Sequence, residues 1–210
     1  MSSSIESIPW CAALLQKPGI VTFTPHSRMG PDTDGNYISG DQLFRTSLNT
    51  ETTVPGYIGL YQSPFSSGTT TTLLPSSGSF LIDTVHLLFN LQPGLNGFNG
   101  TTHGGLIAAL MDEAMGSLLF MNSRVQEDMR RRGMEVPGTV VDLSETQIMT
   151  ANMNIKFMRP IKTPQVVMAT ATLNKIEGRK FFLGYDVRNG EGKEFAIGEG
   201  MWISLRKANL

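Results

Sequence analysis

Apolar and polar residues alternate most clearly in the last third of the chain. Every second residue of "IMTANMNIKFM", residues 148–158, is apolar, and these positions are Met149, Ala151, Met153, Ile155 and Phe157. A period of two predicts a strand with one buried face. Similar runs predict three further strands, over "QVVMATATLNKI", "KFFLGYDVRN" and "EFAIGEGMWISLRK". The last third therefore predicts a four-stranded antiparallel meander.

A strand and a long helix are predicted immediately before this meander. Residues 80–91, "FLIDTVHLLFNL", are rich in β-branched and aromatic residues, which favours a strand. An apolar helix follows from about Gly105, continues along a charged face and ends near Gly133 and Pro137. Such a helix needs a sheet to bury it, so we predict an α+β fold with an antiparallel sheet curled around one central helix.

The first part of the chain has weaker patterns. Residues 5–17 predict a short helix, and residues 25–44 are dense in Gly, Pro, Asp and Ser, which favours irregular backbone. Residues 66–79 are low in complexity and predict a loop. We therefore predict that residues 1–78 form an irregular N-terminal extension with short helices and loops, and that residues 79–210 form the main domain.

Composition and charge limit the classes of function. Of the 210 residues, 40% are hydrophobic and 17% are charged, and the formal net charge is −1. Nothing in this balance favours nucleic acid or an anionic bilayer as the main partner. No uninterrupted apolar run reaches the roughly 18 residues of a membrane span, and the N-terminus has no pattern of a secretory signal.

The single cysteine, Cys11, excludes a disulfide within the chain and fits a reducing compartment. We expect Cys11 to be a buried structural thiol rather than a nucleophile, because it lies in a short amphipathic segment. The sequence thus favours a cytoplasmic location, with the mitochondrion as the alternative.

The central helix carries a carboxyl group among small and apolar residues. In "NGFNGTTHGGLIAALMDEAMG", residues 96–116, Asp112 shares a helix face with glycine, alanine and methionine residues. A face of small residues can lie close to a sheet, so we expect Asp112 to be largely buried. Its role is either that of a structural acceptor or that of a general base or nucleophile. Glu113 lies about 100° further round, towards solvent or a subunit interface.

The start of this helix offers unpaired backbone donors. Gly104 and Gly105 have no side chains, so a ligand oxygen can approach their amides at the positive end of the helix. Such donors can polarise a carbonyl and stabilise an oxyanion. The alternative is an ordinary helix cap, with Thr101 or Thr102 as the N-cap residue and His103 in a structural role.

Motifs for other chemistries are absent from the sequence. There is no G-x-S-x-G, no H-E-x-x-H, no G-x-G-x-x-G after a strand and no G-x-x-x-x-G-K-[ST]. Three scattered histidines and one cysteine make a poor metal site. We therefore predict neither a metal nor a cofactor.

Three segments resemble a known family. "HGGLIAALMDEAMG" resembles the HGG-x6-D signature of hotdog-fold thioesterases of the 4-hydroxybenzoyl-CoA/PaaI-like superfamily. "TANMNIKFMRPI" and "KIEGRKFFLGYDV" resemble strands of the eukaryotic thioesterase superfamily member four group, and the likeness covers residues 80–206. It implies a hotdog fold, a homodimer or a dimer of dimers with sites at the subunit interface, and hydrolysis of an acyl thioester.

The resemblance also implies roles for individual residues. Asp112 matches the catalytic acid, as general base or nucleophile, and the Gly104 amide would donate to the thioester carbonyl. His103 would orient that turn, and Thr150 would help to place the water. The substrate-binding positions that we predict from the motif and from the basic residues are Asn96, Asn99, Gly105, Lys156, Arg159, Arg179 and Lys180. Which asparagine reaches the carbonyl is open, and the basic residues are either contacts for the phosphates of CoA or merely solvated.

One segment departs from the family pattern. Residues 124–145 resemble an insertion, which could cover an acyl tunnel, supply Arg130, Arg131 and Arg132 as a phosphate patch, or form a solvated helical extension.

Several functions remain open from the sequence. The first is a thioesterase in lipid or polyketide metabolism that acts on acyl-CoA or on a carrier-protein-bound chain. The second is a non-hydrolytic hotdog enzyme, such as a dehydratase, isomerase or cyclase. The third is a catalytically silent binding or regulatory protein.

Overall fold

One long helix lies against a seven-stranded antiparallel sheet in the computed structural model, which describes residues 4–29, 41–65, 79–143 and 147–205. The helix, α2, spans Gly104–Arg131, and a short helix, α1, spans Pro9–Leu15. The sheet contains β1 (Ile20–Phe23), β2 (Tyr57–Gln62), β3 (Thr84–Leu91), β6 (Ile148–Phe157), β7 (Gln165–Glu177), β8 (Lys180–Arg188) and β9 (Glu194–Ser204). A small hairpin, β4 (Asn96–Phe98) and β5 (Thr101–Thr102), precedes α2.

The predicted helix and the five predicted strands are all present. Helix α2 ends just before Gly133, whose positive φ of 71° suits a residue without a side chain. The prediction of a simple meander is wrong, because the strand order is β1-β2-β3-β7-β8-β9-β6. Strand β6, the first strand of the predicted meander, pairs with β9, the last one. Strand β7, the second, pairs with β3, so the sheet continues on both sides of β7, β8 and β9.

The N-terminal part contributes more than short helices and loops. Helix α1 was predicted, and Cys11 is fully buried in it as expected. Strands β1 and β2 were not predicted, yet β2 pairs with β3, so a single sheet continues across the predicted boundary after residue 78. "YIGLYQ" does carry the aromatic and β-branched residues of a strand. Residues 66–78 of the predicted loop and most of the Gly- and Pro-rich stretch lie outside the described residues.

Strand β6 does not bury the whole face that its alternation predicts. It is an edge strand, paired with β9 alone among the described residues, and Met149 and Phe157 are 56% and 55% exposed. The pairing also shifts between Thr150 and Asn152, which marks a β-bulge. An extra residue reverses the side-chain alternation, so Thr150 lies on the same face as Met153 and Ile155.

The core lies between α2 and the sheet. Leu110, Met111 and Ala114 of the helix are fully buried in one cluster with apolar residues of β3, β7 and β8. Asn122 fixes the helix to the segment before β3, because its Oδ1 accepts hydrogen bonds from the Leu81 and Ile82 amides and its Nδ2 donates to the Ile82 carbonyl.

Helix α2 is long and apolar enough to cross a membrane, judged by length and composition, and it is the one such helix among the described residues. Its apolar stretch is interrupted by Asp112 and Glu113, and the sheet buries one face of the helix. Burial in the core explains the apolar composition, so that composition alone does not indicate a membrane span.

Candidate active site

Asp112 lies on α2 with its carboxyl group held by a strand residue. The Thr150 hydroxyl donates a hydrogen bond of 2.7 Å to Asp112 Oδ1. Burial raises the pKa of Asp112, and the hydrogen bond from Thr150 lowers it by a smaller amount. The carboxyl group is half-buried rather than fully enclosed, so it combines a raised pKa with access to a ligand.

The bulge in β6 brings Thr150 to this position. Thr150 pairs with Trp202 of β9, and Trp202 packs onto α2 at Gly116, where an added Cβ would lie 3.3 Å from the indole ring. Gly116 therefore lets the edge of the sheet approach the helix one turn beyond Asp112. The alternation of apolar and polar residues predicted Thr150 on the polar face of its strand. The bulge turns the Thr150 side chain towards the helix instead.

A cavity of about 350 Å³ opens beside Asp112. Its lining comes from α2, from the β6–β9 edge and from the N-terminal part: His26, Ser27, Asp41, Asp112, Glu113, Gly116, Ser117, Phe120, Ile148 and Trp202. A second cavity of about 200 Å³ shares four of these residues and reaches Leu143. The N-terminal extension therefore forms part of the wall, which no sequence pattern had indicated.

Glu113 faces this cavity and not open solvent, so the first of its two expected positions is wrong, and the second, a subunit interface, stays a prediction. The Ser27 hydroxyl donates to Glu113 Oε1 over 2.6 Å, and the Tyr57 hydroxyl donates to the same oxygen over 3.0 Å. Burial is the main cause that raises the pKa of Glu113, and these two hydrogen bonds lower it. The pKa of Tyr57 is raised as well, chiefly by burial. Tyr57 is the first residue of β2, which was not predicted, and Ser27 lies in a short 3-10 turn, His26–Arg28, that follows β1.

His103 caps α2 with its side chain. Its Nδ1 accepts a hydrogen bond of 2.9 Å from the Gly105 amide, so the predicted threonine caps are wrong. Gly97 permits this turn, because an added Cβ would lie 2.8 Å from the His103 ring. The predicted role of Gly105 as a substrate donor is not supported, because its amide is occupied. No group in the described ranges accepts from the Gly104 amide, which leaves it open to a ligand.

Gly104 and Asp112 lie too far apart to act on one carbonyl within a single protomer. Eight residues of α-helix, from 104 to 112, correspond to roughly 12 Å along the axis. A thioester carbonyl bound at Gly104 therefore needs an acid from elsewhere, and a second protomer is the source that the resemblance implies.

The two asparagines lie in the hairpin before α2. Asn96 is half-buried and its Oδ1 accepts a hydrogen bond of 2.6 Å from the Thr163 hydroxyl, whereas Asn99 is exposed. Their predicted contact with the carbonyl stays a prediction.

The four predicted basic residues fall into two groups. Lys156 and Arg159 lie beside the start of β9, and the Arg159 guanidinium donates to the Glu194 carbonyl over 2.9 Å. Arg179 and Lys180 lie beside its end, where Lys180 pairs with Ile203. Eight strand residues, from 195 to 203, separate the groups by roughly 26 Å. The protomer therefore does not bring all four residues to one phosphate site.

The segment that resembles an insertion continues α2 as far as Arg131 and then folds back along the helix up to Leu143. Gln126 donates to the Val141 carbonyl and accepts from the Leu143 amide. Arg130 forms an ion pair with Asp142 at 2.7 Å, and Arg131 forms one with Asp128 at 2.6 Å. The arginines that were considered as a phosphate patch are thus paired with acids at two of the three positions. Within the described residues, no group of three or more metal-ligating side chains is placed to hold a metal ion.

Comparisons with known proteins show the family to which the chain belongs. The family model described as "Thioesterase superfamily" matches residues 99–196. A protein of Lecanicillium named verlamelin biosynthesis protein B is 30% identical over 181 residues, which cover 81% of this chain and 74% of that protein. The chain belongs to the thioesterase superfamily.

A bovine member of this superfamily, named acyl-coenzyme A thioesterase THEM4, is 33% identical over 119 residues. The match covers 56% of this chain and 40% of the bovine protein, so this chain spans less than half the length of that relative. A conserved protein of Pseudomonas aeruginosa has a solved structure that matches with a TM-score of 0.45 and 20% identity, over 58% of this chain and 81% of that one.

As a member of the thioesterase superfamily, the chain has the hotdog fold that the motif implied, an antiparallel sheet around one long helix. The region that matches the family model contains Gly104, Asp112 and Thr150. Ser27 and Tyr57, which hold Glu113, lie outside it. The cavity of this thioesterase-superfamily chain is therefore built from family positions and from an N-terminal part that the family model does not include.

Proposed function

We propose that the protein hydrolyses acyl thioesters of coenzyme A to a free acid and a free thiol. The observation that carries the proposal is the Asp112 carboxyl group, which lines a cavity, accepts a hydrogen bond from Thr150 and has a pKa raised by burial. A base with a raised pKa is better matched to proton abstraction near neutral pH than an ordinary carboxylate is. The similarity to acyl-coenzyme A thioesterases supports the same class of substrate.

We infer further that two protomers complete each site. The Gly104 amide of one protomer and Asp112 of a second protomer would approach the same carbonyl, because the two groups of one helix are too far apart. Exposed apolar side chains near the start of α2 support a partner there: Phe98 is 84% exposed, Phe157 is 55% exposed and Met158 is 37% exposed. A homodimer is the simplest assembly that covers this surface.

The Gly104 amide and the Asp112 carboxyl group account for each step of hydrolysis. The Gly104 amide, at the positive end of α2, donates to the carbonyl oxygen and stabilises the oxyanion. Asp112 accepts a proton from water, the hydroxide oxygen bonds to the carbonyl carbon, and the carbon–sulfur bond breaks as the tetrahedral intermediate collapses. The proton on Asp112 then passes to the leaving thiolate. Direct attack by Asp112 would instead give a mixed anhydride, which water cleaves to the same products.

The test is release of free thiol from a panel of acyl thioesters. Purified protein is incubated with fatty, aromatic and branched acyl-CoAs and with the same acyl groups on a carrier protein, and thiol is measured over time. We expect thiol release from at least one acyl-CoA, with saturation kinetics. Release only from carrier-protein substrates would overturn the choice of coenzyme A, and a product that keeps its thioester would favour a dehydratase or isomerase. No turnover across the panel would contradict the enzymatic proposal.

A second prediction concerns the hydrogen bond that Thr150 donates to Asp112. That bond lowers the pKa of Asp112, so the change Thr150→Val should raise this pKa and move the acidic limb of the kcat/KM profile to higher pH. Activity at neutral pH should fall by roughly tenfold, the effect expected for a lost hydrogen bond to a charged group. The measurement is kcat/KM across the acidic pH range.

The control is Thr150→Ser, which keeps the hydroxyl. The acidic limb of its kcat/KM profile should lie at the same pH as in the wild type. An unchanged limb in Thr150→Val would show that Thr150 does not act on the protonation of Asp112.

A further inference from the structure

The cavity beside Asp112 has a mixed lining that a plain hydrocarbon chain does not explain. Phe120, Ile148 and Trp202 supply apolar surface, as an acyl chain would require. Ser27, Glu113 and other polar side chains face the same space. Burying hydrocarbon against a carboxyl group removes water from that group and provides no hydrogen bond in return, which costs free energy.

Glu113 is fixed in position by groups that are themselves buried. Ser27 is 2% exposed and Tyr57 is 7% exposed, and both donate to Glu113 Oε1. Tyr57 is held in turn by its stacking on Phe89, with ring centroids 4.8 Å apart, and by the Arg28 guanidinium over its ring. The carboxyl group is therefore preorganised by the N-terminal part of the chain, and it does not move freely as a surface glutamate would.

The second oxygen of Glu113 has no protein partner. Both hydrogen bonds go to Oε1, and nothing in the described part of the chain donates to Oε2. A purely structural link between α2 and β2 needs only the first oxygen. Because Glu113 lines the same cavity as Asp112, Oε2 is available to a group on a ligand whose thioester reacts at Asp112.

We propose that the cavity takes an acyl group that carries a hydroxyl substituent, and that Glu113 Oε2 accepts the hydrogen bond of this hydroxyl. Glu113 is then a specificity-determining residue, and Ser27 and Tyr57 are its positioning residues. The inference rests on the proposed hydrolysis of acyl thioesters and narrows it to a class of acyl group. A hydroxyl pairs the free oxygen, whereas an unsubstituted chain of equal length leaves it desolvated and unpaired.

The experiment compares matched pairs of substrates. Acyl-CoAs of equal chain length, unsubstituted or with one hydroxyl at successive carbons from the third onward, are hydrolysed by the wild type and by Glu113→Gln and Glu113→Met. We expect the wild type to prefer at least one hydroxylated member by about tenfold to a hundredfold in kcat/KM, the range for a hydrogen bond to a charged group. Glu113→Gln should reduce this preference, and Glu113→Met should abolish it or reverse it.

The control is Glu127→Gln, the same chemical change at an exposed position of α2, which should keep the wild-type preference. A wild type that hydrolyses both members of every pair equally well would overturn the inference but leave the proposed hydrolysis intact. An unchanged preference in both Glu113 variants would also overturn it.

Binding separates this inference from the proposed function itself. Asp112→Asn protein is titrated calorimetrically with free hydroxylated and unsubstituted acids of equal length, and we expect the hydroxylated acid to bind about tenfold more tightly. If no acyl-CoA is hydrolysed, the proposed hydrolysis fails. The recognition of a hydroxyl still stands in that case if the difference in Kd is found in Asp112→Asn and is lost in Asp112→Asn/Glu113→Met. Equal Kd values for the two acids would overturn the recognition.

Discussion

Replacing Asp112 by asparagine should abolish most turnover and leave the fold intact. The amide is close in size to the carboxyl group and still accepts the hydrogen bond from Thr150, but it cannot take a proton from water. Loss of a general base costs about 10²- to 10⁴-fold in rate, and we expect kcat to fall within that range. The measurement is thiol release from the best acyl-CoA, with KM determined alongside kcat.

Stability provides the control for this variant. Burial raises the pKa of Asp112 in the folded protein, so the charged form costs stability as pH rises from the ordinary pKa of an aspartate through the raised value. Asparagine carries no charge, so the Tm at neutral pH should be unchanged or slightly higher. Asp128→Asn, at a half-buried position of α2 paired with Arg131, should keep full activity. Wild-type kcat in Asp112→Asn would exclude the proposed role.

Replacing Gly104 by proline should remove the oxyanion donor without disturbing the helix. Gly104 is the first residue of α2, the position where proline is best tolerated because the amide there has no helical partner. His103 precedes it with φ −62° and ψ 134°, a conformation that suits a residue before proline. Loss of one such donor costs about 10²- to 10³-fold in kcat, and we expect a loss of this size.

Gly104→Ala is the matched comparison, because it keeps the amide hydrogen. The added Cβ would lie 3.6 Å from the Phe157 ring, an ordinary contact, so the fold should tolerate it. The two variants should therefore differ at least tenfold in kcat, with circular dichroism confirming equal helix content. Equal activity of the proline and alanine variants would show that the Gly104 amide does not contact the reacting carbonyl.

The sequence predicts those parts of the fold in which the apolar residues of a local pattern are also the residues that become buried. The alternation of apolar residues in β8 is an example, since Phe181, Leu183 and Val187 are all buried. The apolar stretch from Gly105 predicted α2 for the same reason, with its start within one residue. The motif also pointed to Asp112 and the wider resemblance pointed to Thr150, and the structure joins these two side chains by a hydrogen bond.

The remaining features depend on contacts between distant segments. The bulge in β6 is one, because nothing in the local sequence marks the extra residue that turns Thr150 towards the helix. The position of Glu113 is another, because its partners lie 86 and 56 residues away, one in a short turn after β1 and the other in the unpredicted strand β2. Without those segments, a carboxyl group 100° round a helix from Asp112 is most simply placed in solvent or at a subunit interface.

The sequence by itself determined the family, the central helix, five of the seven strands of the sheet and the residue types at the reacting end of that helix. These features follow from periodicity and from a short motif, which depend only on neighbouring residues. The tertiary structure alone decided the strand order, the capping of the helix by His103, the separation of the basic residues and the enclosure of Glu113 by the N-terminal part. The physical reason is that hydrogen bonding and burial join residues that are far apart in the chain, and their partners are fixed only when the sheet has formed.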